Sequence, residues 1–297
     1  MHKSGFVNII GRPNVGKSTL MNALVGERMS IITNKPQTTR HRIIGILSGD
    51  DFQLVFSDTP GIIRDPAYKM HEIMNSYVKS TFEDADIMLF VTEMGEQYDD
   101  DDPIIQRLAK VEVPVFLVLN KIDLSTPEQV LEAIKNWNER IDFKETIPIS
   151  ALHKQNTDQL LQLVKDKLPE GPEYYPKDQL TDRPERFFVS EIIREKILQF
   201  YEQEIPYFTE VGITEFKETT TNQGEPLARI HATIFVGRKT HKAIILGKEG
   251  KAIKKLGTEA RKSIETFLEQ KVYLELFVKI KDNWRDDERT LKHFGYS

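Results

Sequence analysis

The stretch GRPNVGKS, residues 11–18, separates two glycines by four residues and sets a lysine and a serine directly behind the second. A G-x-x-x-x-G-K-S loop that leaves a strand and opens a helix lets successive backbone N–H groups wrap phosphates, and the helix N-terminus adds favourable potential. Gly11 and Gly16 allow the tight turn and the close approach, while Arg12, Pro13, Asn14 and Val15 form the wrapping peptide run. Lys17 is placed to neutralise β- and γ-phosphates, and Ser18, with Thr19 behind it, offers a hydroxyl to Mg²⁺. Taken alone, the pattern also fits a glycine turn with an exposed lysine.

Three further segments follow in the order that a guanine-nucleotide site needs. In DTPG (58–61), Asp58 can hold Mg²⁺ through water and the Gly61 N–H can reach a γ-phosphate, with Thr59 and Pro60 between them. In NKID (120–123), the Asp123 carboxylate can accept two hydrogen bonds from guanine N1–H and its 2-amino group, which adenine lacks. Asn120 would tie loops together and Lys121 would lie along the base. In SAL (150–152), Ser150, Ala151 and Leu152 close the base pocket, with the Ala151 N–H aimed at guanine O6. The set implies GTP and GDP as ligands.

Between the first helix and the second strand, PQTTRHR (36–42) supplies a threonine to coordinate Mg²⁺ and sense the γ-phosphate, with Thr39 preferred and Thr38 the alternative. In Ras-like GTPases the residue directly after the D-x-x-G motif is a glutamine that orients the attacking water. Here it is Ile62, so that device is missing and intrinsic hydrolysis is expected to be slow.

ILGKEGKAIKKLG (245–257) holds a second glycine loop. Its two intervening residues rule out a nucleotide loop, but G-x-x-G between two helices is the KH-domain clamp on about four backbone nucleotides. Gly247, Lys248, Glu249, Gly250, Lys251 and Lys254 are its candidate RNA contacts; Ile244, Ile245, Ile253 and Leu256 are expected in core and groove lining. A solvated lysine face is the alternative for Lys251, Lys254 and Lys255.

These motifs need elements to hold them. Short β-branched apolar runs at 6–10, 42–47, 52–57, 87–92, 113–120 and 146–150 alternate with helical patterns near 17–25, 68–83, 103–110, 127–140 and 156–168. The alternation predicts an α/β domain with a mostly parallel six-stranded sheet covered on both faces, the second and third strands forming an antiparallel hairpin across SGDD (48–51). Every nucleotide motif then falls at the C-terminal end of a strand, the binding edge of an open α/β sheet. A proline-rich segment reads as a linker, giving a first domain over 1–170, a linker over 171–186 and a smaller α+β domain over 187–297. The second domain reads helix–strand–strand–helix–helix–strand and ends in NWRDDERTLKHFGYS (283–297), whose aromatics either stack bases or pack on the domain; Trp284 is assigned to packing. The run DDDD (99–102) reads as an acidic loop start before Pro103 rather than a metal site.

The chain has 297 residues, 39% hydrophobic and 29% charged, enough for two cores. It has no cysteine, which excludes disulfides and fits a reducing compartment. No apolar run has signal-peptide or membrane-span length, which leaves peripheral membrane contact open. The net charge is −5, yet residues 238–262 carry nine basic residues against Glu249 and Glu259, a local charge of +7 that a polyanion would meet.

GRPNVGKSTLMNAL, PQTTRHR, DTPGI, NKID, SAL, ILGKEGKAIKKLG and NWRDDERTLKHFGY together resemble the Era family of bacterial ribosome-assembly GTPases, over nearly the whole chain. The resemblance implies a TrmE-Era-EngA-type GTPase with a type II KH domain. It further implies binding of the small ribosomal subunit near the 3′ end of its rRNA during maturation, in the cytoplasm with some peripheral association at the membrane. No stable protein partner is implied, so a monomer is expected. Ile62 follows the family's own pattern. Likeness to translation-factor-class GTPases adds a K⁺ ion beside Asn14, making Lys17, Asn14 and Thr39 the catalytic candidates; a loop-capping Asn14 is the alternative of equal weight. The non-enzymatic alternative is an RNA-binding adaptor that only senses nucleotide.

Overall fold

The computed structural model describes residues 2–63 and 65–296. Two compact units emerge, one from Met1–Asp65 and Met74–Asp182, the other from Pro66–Ile73 and Arg183–Ser297.

The first unit contains β1 (Lys3–Ile10), α1 (Lys17–Val25), β2 (Ile43–Ser48) and β3 (Phe52–Asp58). After α2 (Lys69–Ser80) come β4 (Ile87–Glu93), α3 (Pro103–Leu108), β5 (Val115–Asn120), α4 (Pro127–Arg140), β6 (Glu145–Pro148) and α5 (Thr157–Lys167). The sheet order is β2-β3-β1-β4-β5-β6, parallel except for β2, which pairs antiparallel with β3 across the turn where Gly49 N donates to Phe52 O (2.8 Å). The central strands are buried on both faces, which is why β4 and β5 read as continuous apolar runs rather than alternating ones. Because β1 lies between β3 and β4, connections leave it in opposite directions, and the crevice at this switch point is where residues 11–18 emerge.

Element ends follow local chemistry. Thr126 and Gln129 form a reciprocal capping box ahead of α4, with Pro127 at its first position. The helix expected over 68–83 stops at Ser80, where the Thr81 hydroxyl turns back to Val78 O (2.7 Å). The strand expected over 146–150 ends at Pro148, which has no N–H to give a ladder. The proline-rich segment after α5 lies along this unit: Ile46 N donates to Leu180 O (2.8 Å), and Gln53 exchanges bonds with the backbone of Tyr174 and Tyr175.

In the second unit, α6 (Glu185–Phe200), β7 (Thr209–Thr220), β8 (Pro226–Val236), α7 (Lys239–Leu246), α8 (Lys251–Leu268), β9 (Lys271–Ile280) and α9 (Glu288–His293) follow in order. β7 pairs antiparallel with β8, and β8 pairs parallel with β9, a return that α7 and α8 make possible. β8 alternates strictly: Ala228, Ile230, Ala232, Ile234 and Val236 are buried against the helices, while Arg229, His231, Thr233 and Phe235 take the other face. Ile193, Ile197, Ile245, Leu256, Ala260 and Ile264 complete that core. Truncating one such isoleucine to alanine costs about 2–5 kcal/mol. No helix among the described residues is long and apolar enough to cross a membrane.

Candidate functional site

The phosphate loop is built by strained positions that its residue types tolerate. Gly16 caps α1 with φ +99°, and a Cβ there would lie 2.3 Å from Asn120 Nδ2. Gly11 has φ +150°, and a Cβ would sit 2.2 Å from Val91 O. Asn14 takes φ 68°, a left-handed conformation that asparagine accepts more readily than most residues. Lys17 is buried and donates to Gly11 O (3.0 Å) and Arg12 O (2.8 Å); burial lowers its pKa to about 8, against the pull of Asp58 and Glu96.

Oxygen ligands converge behind this loop. Ser18 Oγ donates to Asp58 Oδ2 (2.6 Å) and lies 3.0 Å from Thr39 Oγ1, which is itself 3.5 Å from Asp58 Oδ2. Thr38 instead donates to Lys35 O (2.6 Å) and pairs with Thr33. Asp58 Oδ1 is buried with no hydrogen-bond partner among the described residues, and burial pushes this carboxyl above its ordinary range, against the bond from Ser18 and the charge of Lys17. Two hydroxyls and a carboxylate, one of whose oxygens is buried and orphaned, form the hard donor set that suits Mg²⁺.

Asn120 joins the loops: its Nδ2 donates to Val15 O (2.8 Å) and its Oδ1 accepts from Ala151 N (3.0 Å). The Ala151 N–H, expected at guanine O6, is thus engaged by Asn120. Lys121 has φ 63° and pairs with Glu93, and Asp123 faces His153 Nε2 at 3.8 Å. The cleft between these loops holds about 430 Å³. Pro13, Asn14, Gly16, Lys17, Ser18, Thr19, Thr39, Thr59, Gly61, Asn120, Lys121, Asp123, Ser150 and Leu152 line it. Gly11, Val15, Asp58, Pro60 and Ala151 stand behind that lining.

The Arg12 side chain turns away from the cleft. Its guanidinium lies over the Tyr98 ring (3.8 Å), donates to Asp102 Oδ2 and Gln97 O (both 2.7 Å), and sits 3.6 Å from Glu96. Asp102 also caps α3 by accepting from Ile104 N (2.9 Å), so the acidic run is a structural clamp on the phosphate loop. Thr33, Asn34, Lys35, Gln37 and the exposed Leu124 line the cleft without having been singled out. Leu124 directly follows Asp123, which was the available signal; the polar loop around 33–37 has no periodicity to mark it. Ile62 packs on the cluster around Phe90 and Trp137.

In the second unit Gly247 ends α7 and Gly250 starts α8, both with positive φ (68° and 73°), and Glu249 between them is also left-handed (φ 54°). A Cβ on Gly247 would fall 2.6 Å from Ala252 Cβ. Lys248, Glu249, Lys251 and Lys254 are exposed, with Lys251 paired to Glu249 at 2.9 Å. Ile245 and Leu256 are buried, whereas Ile244 is exposed. Beside the loop, Ile253, Lys254, Gly257, Arg261, Leu276 and Phe277 help line a groove of about 420 Å³ between α8 and β9.

A phosphate loop with converging hydroxyl and carboxylate ligands, an Asn-Lys-x-Asp base pocket, and a G-x-x-G helix pair define a P-loop GTPase carrying a KH domain. The family model described as 50S ribosome-binding GTPase matches residues 6–121, and the KH domain model matches 204–285. Over its full 297 residues the chain is 49% identical to the GTPase Era of Clostridium kluyveri, covering all of both chains. It is 46% identical to that of Clostridium acetobutylicum, covering 100% of this chain and 98% of the relative. The chain belongs to the Era GTPase family. Its fold matches a tyrosine-to-alanine variant of Aquifex aeolicus Era bound to GDP and AlF₄⁻ at 36% identity and TM-score 0.91, covering 99% of each chain. It also matches Era in complex with MgGDPNP and nucleotides 1506–1542 of 16S ribosomal RNA, at 36% identity and TM-score 0.92, covering 100% of each.

Proposed function

We propose that this GTPase is a hydrolysis-driven switch that binds small-subunit ribosomal RNA near its 3′ end through the GKEG clamp and acts in maturation of the small ribosomal subunit. The observation that carries this reading is the full-length likeness to an Era chain whose complex holds both a magnesium–GTP analogue and a 16S rRNA segment. We take 1–170 as the GTP-binding domain, 171–186 as linker and 187–297 as the RNA-binding domain.

In this reading the peptide run from Gly11 to Thr19 wraps the phosphates, and Lys17 leaves the Gly11 and Arg12 carbonyls for the β- and γ-phosphates. Asp123 accepts from the guanine edge, and Leu124 and Leu152 flank the base. Mg²⁺, held by Ser18 and Thr39 with Asp58 acting through water, supplies positive charge to the phosphates. Asn14 would hold K⁺, which would supply further positive charge to the phosphates. Ile62 presents no polar atom to a water, so intrinsic turnover is slow and RNA or the ribosomal subunit is the accelerator. The protein works as a monomer in the cytoplasm, with peripheral contact at the cytoplasmic membrane face through the basic 238–262 surface.

Phosphate release measured in K⁺ and in Na⁺, with and without a single-stranded oligonucleotide of the rRNA 3′ end, tests this. Faster turnover in K⁺ and with RNA is expected; equal rates in the two salts remove the role of Asn14. The apolar packing of Ile62 favours one other reading, an RNA-binding adaptor with negligible turnover. Saturable RNA binding without phosphate release under every condition would establish the adaptor instead.

A further inference from the structure

Glu93 ends β4 and Asp102 starts α3, and the stretch from one to the other touches two parts of the nucleotide cleft. Glu93 pairs with Lys121, the lysine assigned to the base. Three residues on, Glu96 lies 3.6 Å from the Arg12 guanidinium, and its Oε2 accepts from the buried Thr92 hydroxyl (2.8 Å). Gln97 O, the Tyr98 ring and Asp102 hold the same guanidinium. One short stretch of chain therefore sets the base lysine at its start and the phosphate loop along the rest.

Beside this stretch lies a cleft of about 420 Å³ that shares no lining residue with the nucleotide cleft. Glu93, Glu96 and Asp99 line one side of it, and Asn136, Trp137 and Arg140 come from one face of α4. Arg140 is committed to Asp100 (2.6 Å), so the lining carries three carboxylates against one cation that is already paired. Acidity alone would make only a solvated rim. Tyr98 adds an independent sign: it lines the cleft, is 5% exposed, and its hydroxyl has no hydrogen-bond partner among the described residues. Burial, with Glu96 beside it, pushes the phenol pKa up, so the group stays protonated and its oxygen remains an acceptor. Tyr98 meets Trp137 edge-on, with ring centroids 5.4 Å apart. Each ring already has a guanidinium over it, Arg12 at 3.8 Å from Tyr98 and Arg140 at 5.8 Å from Trp137. Carboxylates, an open phenol oxygen and aromatic rings suit a further guanidinium, which is planar and both pairs with carboxylates and stacks on rings.

We propose that this cleft is a docking site for an arginine side chain of a protein partner, whose guanidinium competes with Lys121 for Glu93 and with Arg12 for Glu96 and thereby speeds release of GDP. The proposal rests on the assignment of Lys121 and the Arg12 peptide to the nucleotide site above. It is tested on the full chain loaded with fluorescent N-methylanthraniloyl-GDP and chased with excess GDP at fixed ionic strength. The probes are the capped peptide acetyl-Gly-Arg-Gly-amide and its citrulline counterpart, which keeps the shape and loses the charge. The arginine peptide should speed release about fivefold at saturation, the loss of one partly exposed ion pair at about 1 kcal/mol. The citrulline peptide should leave the rate unchanged. Asn136 is an exposed residue of the cleft wall, so Asn136→Trp fills the cleft from its rim. Its basal release should match the wild type, and its response to the arginine peptide should vanish. Glu93→Gln should by itself raise basal release toward the peptide-saturated rate, with little left for the peptide to add. Asn136→Trp carries the test if Glu93→Gln fails to fold. No acceleration, equal acceleration by the citrulline peptide, or an undiminished response in Asn136→Trp overturns the docking site. A wild-type chain that holds no fluorescent GDP would instead refute the nucleotide site itself.

Discussion

Substituting Asp102 by asparagine should loosen the phosphate loop without touching the nucleotide. Asp102 is 3% exposed in its side chain and performs two tasks, the cap on α3 at 2.9 Å and the 2.7 Å bond to Arg12. Asparagine caps helices about as well as aspartate, so Asp102→Asn keeps the first task and removes the charge from the second. A hydrogen bond to a charged group contributes about 1.5–3 kcal/mol; with the Arg12 side chain 26% exposed, solvent screening reduces this to about 1–2 kcal/mol. Gln97 O and the Tyr98 ring keep the guanidinium nearby, so the loop slackens rather than detaches. At about 2–4 °C per kcal/mol for a domain of this size, the first transition should fall by roughly 2–8 °C. Nucleotide affinity responds to a different quantity. Lys17 must release the Arg12 carbonyl to meet phosphate, and the clamp is what then holds that peptide in place. A full transfer of the loss to the bound state makes GDP binding up to about tenfold weaker per 1.4 kcal/mol. Thermal unfolding with and without GDP, together with titration calorimetry, reads both. Asp102→Ala, which also loses the cap, should fall about 1 kcal/mol further. An Asp102→Asn chain with wild-type melting and wild-type GDP affinity would refute the clamp.

Asp123→Asn should erode the preference for guanine over other bases, seen in competition between GTP and xanthosine triphosphate; unchanged selectivity would move the base contact elsewhere. Tyr296→Phe removes a buried bond to the Glu210 carboxylate and should cost the second unit about 1.5–3 kcal/mol, read in denaturant unfolding as a lower midpoint at an unchanged slope. His241 is buried beside Phe208, and desolvation, with Arg238 and Arg285 nearby, lowers its pKa below the ordinary 6.5, against the pull of Glu204. The unfolded chain therefore binds the proton first, and the second unit should lose stability as pH falls from 6.5, by at most about 1.4 kcal/mol per pH unit. His241→Gln should flatten that slope.

Much of this protein is local, and local features are readable in a linear chain. Gly11, Gly16, Lys17 and Ser18 announce their loop because backbone torsion and helix onset act over a few residues. The strict alternation of β8 and the continuous runs of β4 and β5 likewise carry their burial in their own spacing. Even the Gly247 and Gly250 pair declares itself, through torsions that other residues reach only at a cost. Tertiary structure alone decided which distant groups meet. Asp102 sits 90 residues from Arg12, yet it clamps the phosphate loop; Asn120 bridges Val15 and Ala151; Thr39 rather than Thr38 turns toward Ser18 and Asp58. Phe294 meets Phe235, with ring centroids 4.9 Å apart, only because the buried Trp284 and Tyr296 anchor the tail. The physical reason is the same in each case: torsion and periodicity are properties of neighbours along the chain, whereas ion pairs, orphaned oxygens and stacked rings depend on which surfaces the packed core presses together.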